Sequence, residues 1–275
     1  MTEGKLTRRA LIHGASITGA VAATTSALAQ NADAKISRIV KNGRIHQSAS
    51  RWCYRTLTLD QLCHAGAKMG LKGIDLLKPE EFPTLKKHGL VCTMTSGGGS
   101  VNDKTKREQT VAQIRTAIEA NAEHGFANVI AMAGNRDGIP DDVGIENAVT
   151  TLKQVARFAE QKKVTVCIEY LNSKVDHQGY MFDNMAWGVE VCTRVGSPNV
   201  KILYDIYHAQ IMEGDIIRTI RTHKDLIGHY HTGGNPGRHE IDETQELYYP
   251  AIKRAIAESG YTCLLYTSPS PRDND

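Results

Sequence analysis

The chain has 275 residues, of which 41% are hydrophobic and 23% are charged, and its formal net charge at pH 7 is +3. This composition is typical of a globular protein and excludes a disordered chain, a collagen-like repeat and a disulfide-rich miniature scaffold. The length allows one or two domains, because a single α/β barrel already takes about 250 residues. The order of the predicted elements therefore decides the fold class.

The first 29 residues have the layout of an export signal. Arg8 and Arg9 precede a mildly apolar stretch of small residues, and Ala27-Leu28-Ala29 closes that stretch like a cleavage site. The stretch contains His13 and several Gly, Ser and Thr residues, so it is too polar for a stable membrane span. We interpret residues 1–29 as a twin-arginine signal, which predicts passage through the Tat export machinery and a periplasmic location. The alternative is a cytosolic N-terminal helix that begins with two arginines by chance.

Short apolar runs alternate with longer amphipathic segments along the body of the chain. The runs are rich in β-branched or aromatic residues and have the length of buried strands. They cover residues 45–54, 73–77, 90–95, 128–133, 164–170, 200–205 and 226–231. Between them, apolar residues recur at helical spacing, as Val111, Ile114, Ile118 and Ala122 do. The body is therefore predicted to alternate strands with helices that bury one face.

Capping residues support the same assignment. Thr58 and Gln61 stand in capping-box order, and Gly70, Gly125 and Gly196 stand where helices should end. Repeated strand–helix–strand units predict a parallel sheet, and the seven runs leave room for an eighth strand near the end of the chain. We expect an α/β fold of the (β/α)₈ TIM-barrel type. The alternative is an open doubly wound sheet, but no strand is followed by the Gly-x-Gly-x-x-Gly motif of that fold.

The C-terminal segment, residues 263–275, is similar to the translated adapter of a sequencing library. We interpret it as an adapter-derived artefact, and the alternative is a genuine Ser/Pro-rich tail. On this interpretation the barrel domain covers residues 30–262 and is truncated in its eighth strand. Residues 1–29 carry a net charge of +2 and residues 263–275 carry −1, so the body carries +2 and has no basic surface for nucleic acid. Its five cysteines show no C-x-x-C spacing, which predicts neither a zinc site nor a disulfide framework.

Polar residues follow three neighbouring predicted strands, at the ends that face the active site in a barrel. Glu169 ends the fifth strand, Asp205 ends the sixth with His208 close behind, and His231 ends the seventh. Two carboxylates and an imidazole suit Mn²⁺, Mg²⁺ or Co²⁺ better than Zn²⁺. Each residue could instead have a purely structural role, as a salt-bridged residue at a strand end, a helix cap or a hydrogen-bonded buried polar group. We predict metal ligands at Glu169, Asp205 and His231, and a structural role for His229.

Three sequence blocks carry a resemblance to a known family. They are Ile168-Glu169-Tyr170-Leu171-Asn172, Tyr204-Asp205-Ile206-Tyr207-His208 and Asn235-Pro236-Gly237-Arg238-His239-Glu240. Through these blocks the body, from about Gln47 to Thr262, resembles the hydroxypyruvate isomerases. That family belongs to the xylose isomerase-like barrels, together with the ketose 3-epimerases. The resemblance implies a (β/α)₈ isomerase whose divalent ion is held by two Glu, one Asp and one His or Gln.

The resemblance also implies roles for individual residues. Glu169 matches the fifth-strand glutamate, which is a ligand and an acid/base, and Asp205 matches the sixth-strand aspartate. His231 matches the seventh-strand ligand, where hydroxypyruvate isomerases often have Gln and the epimerases have His. His208 and Arg238 match positions that contact substrate, and a guanidinium suits a carboxylate or enediolate oxygen. The expected substrate is therefore hydroxypyruvate or a small sugar.

The expected reaction is aldose–ketose isomerisation through an enediolate, with Glu169 as one of two acid/base groups. The family places its fourth ligand, a glutamate, late in the eighth strand. No Glu follows Glu258, which lies on the last predicted helix, so the truncated chain is expected to lack one catalytic carboxylate and to be impaired. Three alternatives stay open: a ketose 3-epimerase, a non-catalytic exported sugar-binding barrel, and a phosphodiesterase resembling the endonuclease IV barrels. The net charge of +2 on the body argues against the phosphodiesterase, which needs a basic surface for DNA. The sequence also leaves open whether the chain forms a homo-oligomer.

Overall fold

A computed structural model describes residues 38, 40 and 45–262, and the backbone of residues 264–267. All of the elements below lie in the compact unit Val40–Asp275. The strands in the described part are β1 (His46–Ser50), β2 (Gly73–Asp75), β3 (Val91–Cys92), β4 (Thr95–Ser96), β5 (Asn128–Ala131), β6 (Thr165–Glu169), β7 (Val200–Asp205), β8 (Ile227–Thr232) and β9 (Leu264–Thr267).

These strands close into a ring of eight parallel positions. β1 pairs with β2 on one side and with β9 on the other, and β9 to β5 then follow in order, each paired with the next. β3 and β4 fill one position together, because β3 pairs with β2 and β4 pairs with β5. A bridge between Leu77 and Thr95 closes the ring at that position. The predicted (β/α)₈ barrel is confirmed, and a closed ring excludes the open doubly wound sheet.

Helices follow the strands and cover the outside of the ring. They are α1 (Leu59–Met69), α2 (Phe82–Lys87), α3 (Arg107–His124), α4 (Asp141–Lys162), α5 (Met185–Val195), α6 (Ile206–Met212), α7 (Ile216–His223) and α8 (Tyr249–Glu258). Among the described residues, no helix combines the length and the apolar character that crossing a membrane requires.

The predicted helix ends are confirmed. Thr58 accepts a hydrogen bond from the backbone N–H of Gln61, and the Gln61 side chain accepts one from the N–H of Thr58, which makes a complete capping box at α1. Gly70 ends α1 with φ 94°, a left-handed conformation that glycine adopts without strain. Gly125 and Gly196 end α3 and α5 in the same way.

The core lies in two layers. Apolar faces of the helices pack on the outside of the sheet, where residues such as Leu152, Val166 and Ile202 are fully buried. Inside the ring, Met94, Ile130, Cys167 and Leu203 form a smaller cluster. Cys167 and Leu203 lie two residues before the ends of β6 and β7. Because side chains alternate along a strand, the end residues of these two strands share the inner face.

The structure departs from the predicted elements at three places. The first predicted strand, 45–54, is too long, because the chain turns into a short 3₁₀ helix at Arg51–Tyr54. The third, 90–95, is interrupted between β3 and β4. A further strand, β9, is not among the seven predicted runs and occupies the eighth position of the ring through backbone pairing. The predicted signal, 1–29, lies outside the described residues, and so does most of the predicted artefact.

Candidate metal centre and active site

Three predicted ligands converge at the C-terminal ends of neighbouring strands. Glu169 ends β6, Asp205 ends β7, and His231 lies opposite Asp205 in the β7–β8 register. The Nδ1 atom of His231 lies 3.4 Å from Glu169 Oε1 and 3.7 Å from Asp205 Oδ2. All three side chains are buried, and their ligand atoms lie within 4.8 Å of one another. Bonds of about 2.1 Å to one ion allow ligand atoms to be up to about 4.2 Å apart, so His231 and either carboxylate can share an ion.

The charge of this cluster fits a divalent cation. Burial lowers the pKa of His231, but the nearby carboxylates of Asp205, Asp75 and Glu169 together outweigh burial and raise that pKa well above the usual value. Burial would raise the pKa of Asp205, but the charge of Arg238 and the contacts with His208 and His231 together outweigh burial and hold that pKa below its usual range. The carboxylates around this buried imidazole favour a positive charge at its position, and a metal ion at Nδ1 would supply one.

Asp75 belongs to the same cluster, although it was not predicted as a site residue. It ends β2, is fully buried, and places Oδ2 at 2.9 Å from His231 Nε2 and 3.5 Å from His229 Nε2. Thr93 donates its hydroxyl to Asp75 Oδ1 at 2.7 Å. The sequence shows Asp75 inside the run 73–77, and an acidic residue in so short an apolar run was the signal that could have found it.

Asp205 also fixes the local backbone. Its Oδ1 accepts the backbone N–H of Tyr207 at 3.0 Å and of His208 at 3.3 Å, so it caps the N-terminus of α6. Capping explains why a strand ends and a helix begins at this residue. Helix capping and the predicted metal binding therefore use different oxygens of Asp205. Oδ1 caps α6, and Oδ2 faces His231.

The two predicted substrate-contacting residues lie side by side. Arg238 donates to Asp205 Oδ2 at 2.6 Å, and its Nη1 lies 2.5 Å from His208 Nε2. The guanidinium carbon lies 5.4 Å from the ring centre of Trp52 and 5.1 Å from that of Tyr207. Two aromatic rings thus flank the charged group and orient it toward the ligands.

His208 is held as a neutral imidazole. Burial lowers the pKa of His208 to about 4. Asn172 Nδ2 lies 2.6 Å from His208 Nδ1, and the same amide group donates to Asp176 at 2.7 Å. Asn172 thus lies beside one ring nitrogen and Arg238 beside the other, and the neutral ring accepts a hydrogen bond at one of the two.

A cavity of about 640 Å³ opens above the cluster. Glu169, His208, His231 and Arg238 contribute to its lining, and Trp52, Leu76 and Met132 make an apolar part of the wall. Its size and its mixture of apolar wall and few polar groups suit a small ligand. Within the described part of the chain, the group of potential ligands around Glu169 contains Asp205 and His231 and no second glutamate.

Comparisons with known proteins give a family and several relatives. The family described as the xylose isomerase-like TIM barrel matches residues 67–272. The 2-oxo-tetronate isomerase of Cupriavidus necator is 38% identical over 152 residues, which cover 54% of this chain and 56% of that protein. A Caenorhabditis elegans protein with the provisional name hydroxypyruvate isomerase is 30% identical over 219 residues, 72% of this chain and 82% of that protein. The match thus spans little more than half the length of the Cupriavidus protein.

Solved structures share the fold. An AP endonuclease of family 2 from Brucella melitensis superposes with a TM-score of 0.76 at 24% identity, over 83% of this chain and 94% of that chain. An IolI protein with a bound zinc atom superposes with a TM-score of 0.67 at 14% identity, over 83% of this chain and 90% of that chain. At these sequence identities the similarity shows a shared barrel fold and nothing about function.

Proposed function

We propose that this chain, which belongs to the xylose isomerase-like TIM barrel family, is a metal-dependent isomerase of a small α-hydroxy carbonyl compound such as hydroxypyruvate. The observation that carries the proposal is the convergence of Glu169, Asp205 and His231 beside a cavity that also contains Arg238. Relatives named 2-oxo-tetronate isomerase and hydroxypyruvate isomerase support the same type of reaction.

Glu169, Asp205 and His231 are the residues that would hold a divalent cation, with Mn²⁺, Mg²⁺ or Co²⁺ as the preferred ions. Their oxygen and imidazole donors suit such a cation, and one structural neighbour contains a bound zinc atom. When bound, the cation supplies Lewis-acid chemistry that polarises a carbonyl and stabilises the negative charge of an enediolate.

Glu169 is the group that we propose to move the proton. Its side chain is 10% exposed and lies in the wall of the cavity, where it can meet a substrate carbon. It either takes the proton from the hydroxyl-bearing carbon beside the carbonyl group or returns one to the former carbonyl carbon, while the hydroxyl proton passes to the former carbonyl oxygen. The predicted second acid/base group is the eighth-strand glutamate of the family, which this chain does not supply after Glu258.

Arg238 and His208 bind the substrate in this proposal. The guanidinium offers parallel N–H donors to a carboxylate or to enediolate oxygens, and the neutral imidazole of His208 can hydrogen-bond a hydroxyl group. A ketose 3-epimerase is the second candidate, because His231 stands where that group of enzymes has His. The two reactions differ in whether the proton returns to the neighbouring carbon or to the opposite face of the same carbon.

The twin-arginine motif at Arg8 and Arg9 supports export of the protein to the periplasm. Fractionation of cells that express the full chain tests this location. Substitution of both arginines by lysine should leave the protein in the cytoplasm, and an unchanged distribution would contradict export by this signal.

The function is tested by following hydroxypyruvate and tartronate semialdehyde with proton NMR. The protein stripped by a chelator should show no interconversion, and added Mn²⁺ should start it. Glu169→Gln should abolish turnover while the protein stays folded. Turnover that resists chelation, or that is unchanged in Glu169→Gln, would contradict the proposal.

A chimera extends this assay to the predicted missing carboxylate. It carries the eighth-strand segment of the Cupriavidus necator 2-oxo-tetronate isomerase after Thr262, and its turnover should exceed that of the unaltered chain. A sugar-binding barrel without catalysis predicts a different pattern, since it would retain sugar in equilibrium dialysis equally well after chelation and show no turnover in either chain.

A further inference from the structure

Asp75 is a fully buried carboxylate that the proposed reaction does not use. It stands at the end of β2, inside the ring, and belongs to a second group of potential ligands with His229 and His231. An ionised carboxylate is costly to bury unless it has close partners. Its partners therefore indicate what the residue does.

His231 presents its two ring nitrogens to different groups. Nε2 lies 2.9 Å from Asp75 Oδ2, whereas Nδ1 faces Glu169 at 3.4 Å and Asp205 at 3.7 Å. In a neutral imidazole one nitrogen carries the proton and the other a lone pair, and only the lone pair can bind a metal ion. The group that takes the proton on one nitrogen thereby decides which nitrogen is the ligand.

Asp75 is held in place to act on Nε2. Thr93 donates its hydroxyl to Oδ1 at 2.7 Å, which leaves Oδ2 directed at the histidines. His229 Nε2 lies 3.5 Å from the same Oδ2, and the ring of His229 also contacts the Tyr261 hydroxyl at 3.3 Å. The carboxylate thus has contacts on two sides, which restrict its rotation.

We infer that Asp75 is a positioning residue for the metal centre: its carboxylate, with Oδ2 at 2.9 Å from His231 Nε2, holds the ring proton on that nitrogen by its charge and so presents the Nδ1 lone pair to the ion. The inference rests on the proposed function, because it assigns Asp75 a role toward the same ion. It adds a residue that touches neither the ion nor the substrate. His229 and Thr93 contact Asp75 and would affect the ion by holding that carboxylate in place.

The test uses the full chain stripped of metal and titrated with Mn²⁺ alone, with the free ion measured by electron paramagnetic resonance. Asp75→Asn keeps the shape of the side chain but removes its charge. It should weaken Mn²⁺ binding about 10- to 100-fold, the usual cost of losing such a partner. With diamagnetic Mg²⁺ bound, long-range ¹⁵N–¹H spectra of the unaltered chain should show the proton of His231 on Nε2, and Asp75→Asn should lose that pattern.

Two further variants separate positioning from general damage. Asp183→Asn makes the same change at another buried carboxylate, one that pairs with Arg136, and it should leave Mn²⁺ affinity unchanged. Thr93→Val removes the hydroxyl that fixes Asp75 and should weaken Mn²⁺ binding less than Asp75→Asn does. If Asp75→Asn does not fold, Thr93→Val decides the matter, because it changes no charge.

Three results would overturn the inference. They are an unchanged Mn²⁺ affinity in Asp75→Asn, or in Thr93→Val where Asp75→Asn does not fold, a proton on Nδ1 of His231 in the Mg²⁺-bound chain, and two Mn²⁺ ions per chain with one lost in Asp75→Asn, which would make Asp75 a ligand. The binding assay does not use turnover. If the unaltered chain binds Mn²⁺ but does not isomerise hydroxypyruvate, only the proposed function is contradicted. If the unaltered chain isomerises hydroxypyruvate and the Asp75→Asn variant binds Mn²⁺ normally, only the role of Asp75 is contradicted.

Discussion

Arg238 connects the proposed substrate site with the metal ligands. It donates to Asp205 at 2.6 Å and contacts His208, while Trp52 and Tyr207 flank its guanidinium. A guanidinium is a planar fork of donors, whereas the ammonium group of lysine is a point charge with no fixed fork. The geometry of this residue therefore supplies directed hydrogen bonds as well as charge.

Arg238→Lys tests that geometry. It keeps the charge but loses the fork, so we expect kcat/KM for hydroxypyruvate to fall about 10- to 100-fold, the value of one charge-assisted hydrogen bond. Arg194→Lys is the matched control, because Arg194 lies on the surface and pairs with Glu146. Steady-state kinetics of both variants with Mn²⁺ give the comparison. Equal kinetic constants in the two would contradict a directed role for Arg238.

Asp183 gives the fold a pH-dependent contribution away from the metal ligands. Burial would raise the pKa of Asp183, but hydrogen bonds from Arg136 and Ser173 outweigh it and lower that pKa below the ordinary 3.8. A carboxyl group with a lowered pKa in the folded state stabilises the protein above its unfolded pKa, and this stabilisation is lost as the pH falls through the folded pKa.

Asp183→Asn should therefore reduce the free energy of unfolding more at pH 7 than at pH 3. Urea unfolding followed by circular dichroism at the two pH values measures the difference. Asp137→Asn, a change at an exposed aspartate, is the control. A loss of equal size at both pH values would show that the charge of Asp183 does not stabilise the fold.

Among the elements, the strand ends place the site, and the sequence predicted most of them. Apolar runs located β5 to β8 closely enough to put Glu169, Asp205 and His231 at one rim of the barrel. Asp75 was missed because the run 73–77 continues past it, although β2 ends there. Leu76 then adopts a left-handed φ of 60° and lines the cavity. This apolar residue therefore belongs to the wall of the cavity and not to strand β2.

The periodicity of apolar residues could not predict the site residues that lie in loops. Arg238 follows β8 in an irregular segment and has a left-handed φ of 58°. No repeat of apolar residues marks such a position, and only the resemblance of Asn235-Pro236-Gly237-Arg238 to a family indicated it. The contact of Arg238 with Asp205 depends on how the loop folds back over β7, which a local pattern does not contain.

Close packing of β2 against its neighbour predicts a sharp difference between two glycines. A Cβ atom on Gly73 would lie 2.5 Å from Thr93 Cγ2 and 2.6 Å from the Val91 carbonyl oxygen, so Gly73→Ala should destabilise the fold by about 1–3 kcal/mol. Gly66, inside α1, has room, since its Cβ would lie 3.4 Å from Leu71 Cδ1.

Gly66→Ala should therefore stabilise the protein, by up to about 1 kcal/mol, because alanine favours a helix. Urea unfolding of both variants checks the two signs. If Gly73→Ala proved as stable as the unaltered protein, β2 and β3 would not approach each other as closely as the structure shows.

The molecule as a whole depends on β9 to close the barrel. β9 pairs with β1 through His46–Leu264 and with β8 through Tyr230–Leu265, so it covers two strand edges at once. The sequence prediction placed the end of the domain at residue 262 because the following residues resemble an adapter. The seven predicted runs left room for an eighth strand here, and β9 occupies it because strand pairing uses backbone atoms and accepts many side chains.

Leu265→Pro tests this closure. Proline removes one backbone N–H from the ladder, and we expect a loss of about 1–3 kcal/mol in the free energy of unfolding. Leu265→Val keeps the N–H and a strand-forming side chain, so it should unfold close to the unaltered protein. Equal stability of the proline and valine variants would contradict the pairing of β9.

In the proposed site, one divalent cation is held by Glu169, Asp205 and His231 at the rim of the barrel. The most direct measurement is an anomalous difference map from crystals of the protein grown with Mn²⁺. The map should show one peak within about 2.3 Å of a carboxylate oxygen of Glu169, a carboxylate oxygen of Asp205 and Nδ1 of His231. A map without a peak among these three residues, or with its peak between Asp75 and Nε2 of His231, would contradict this metal site.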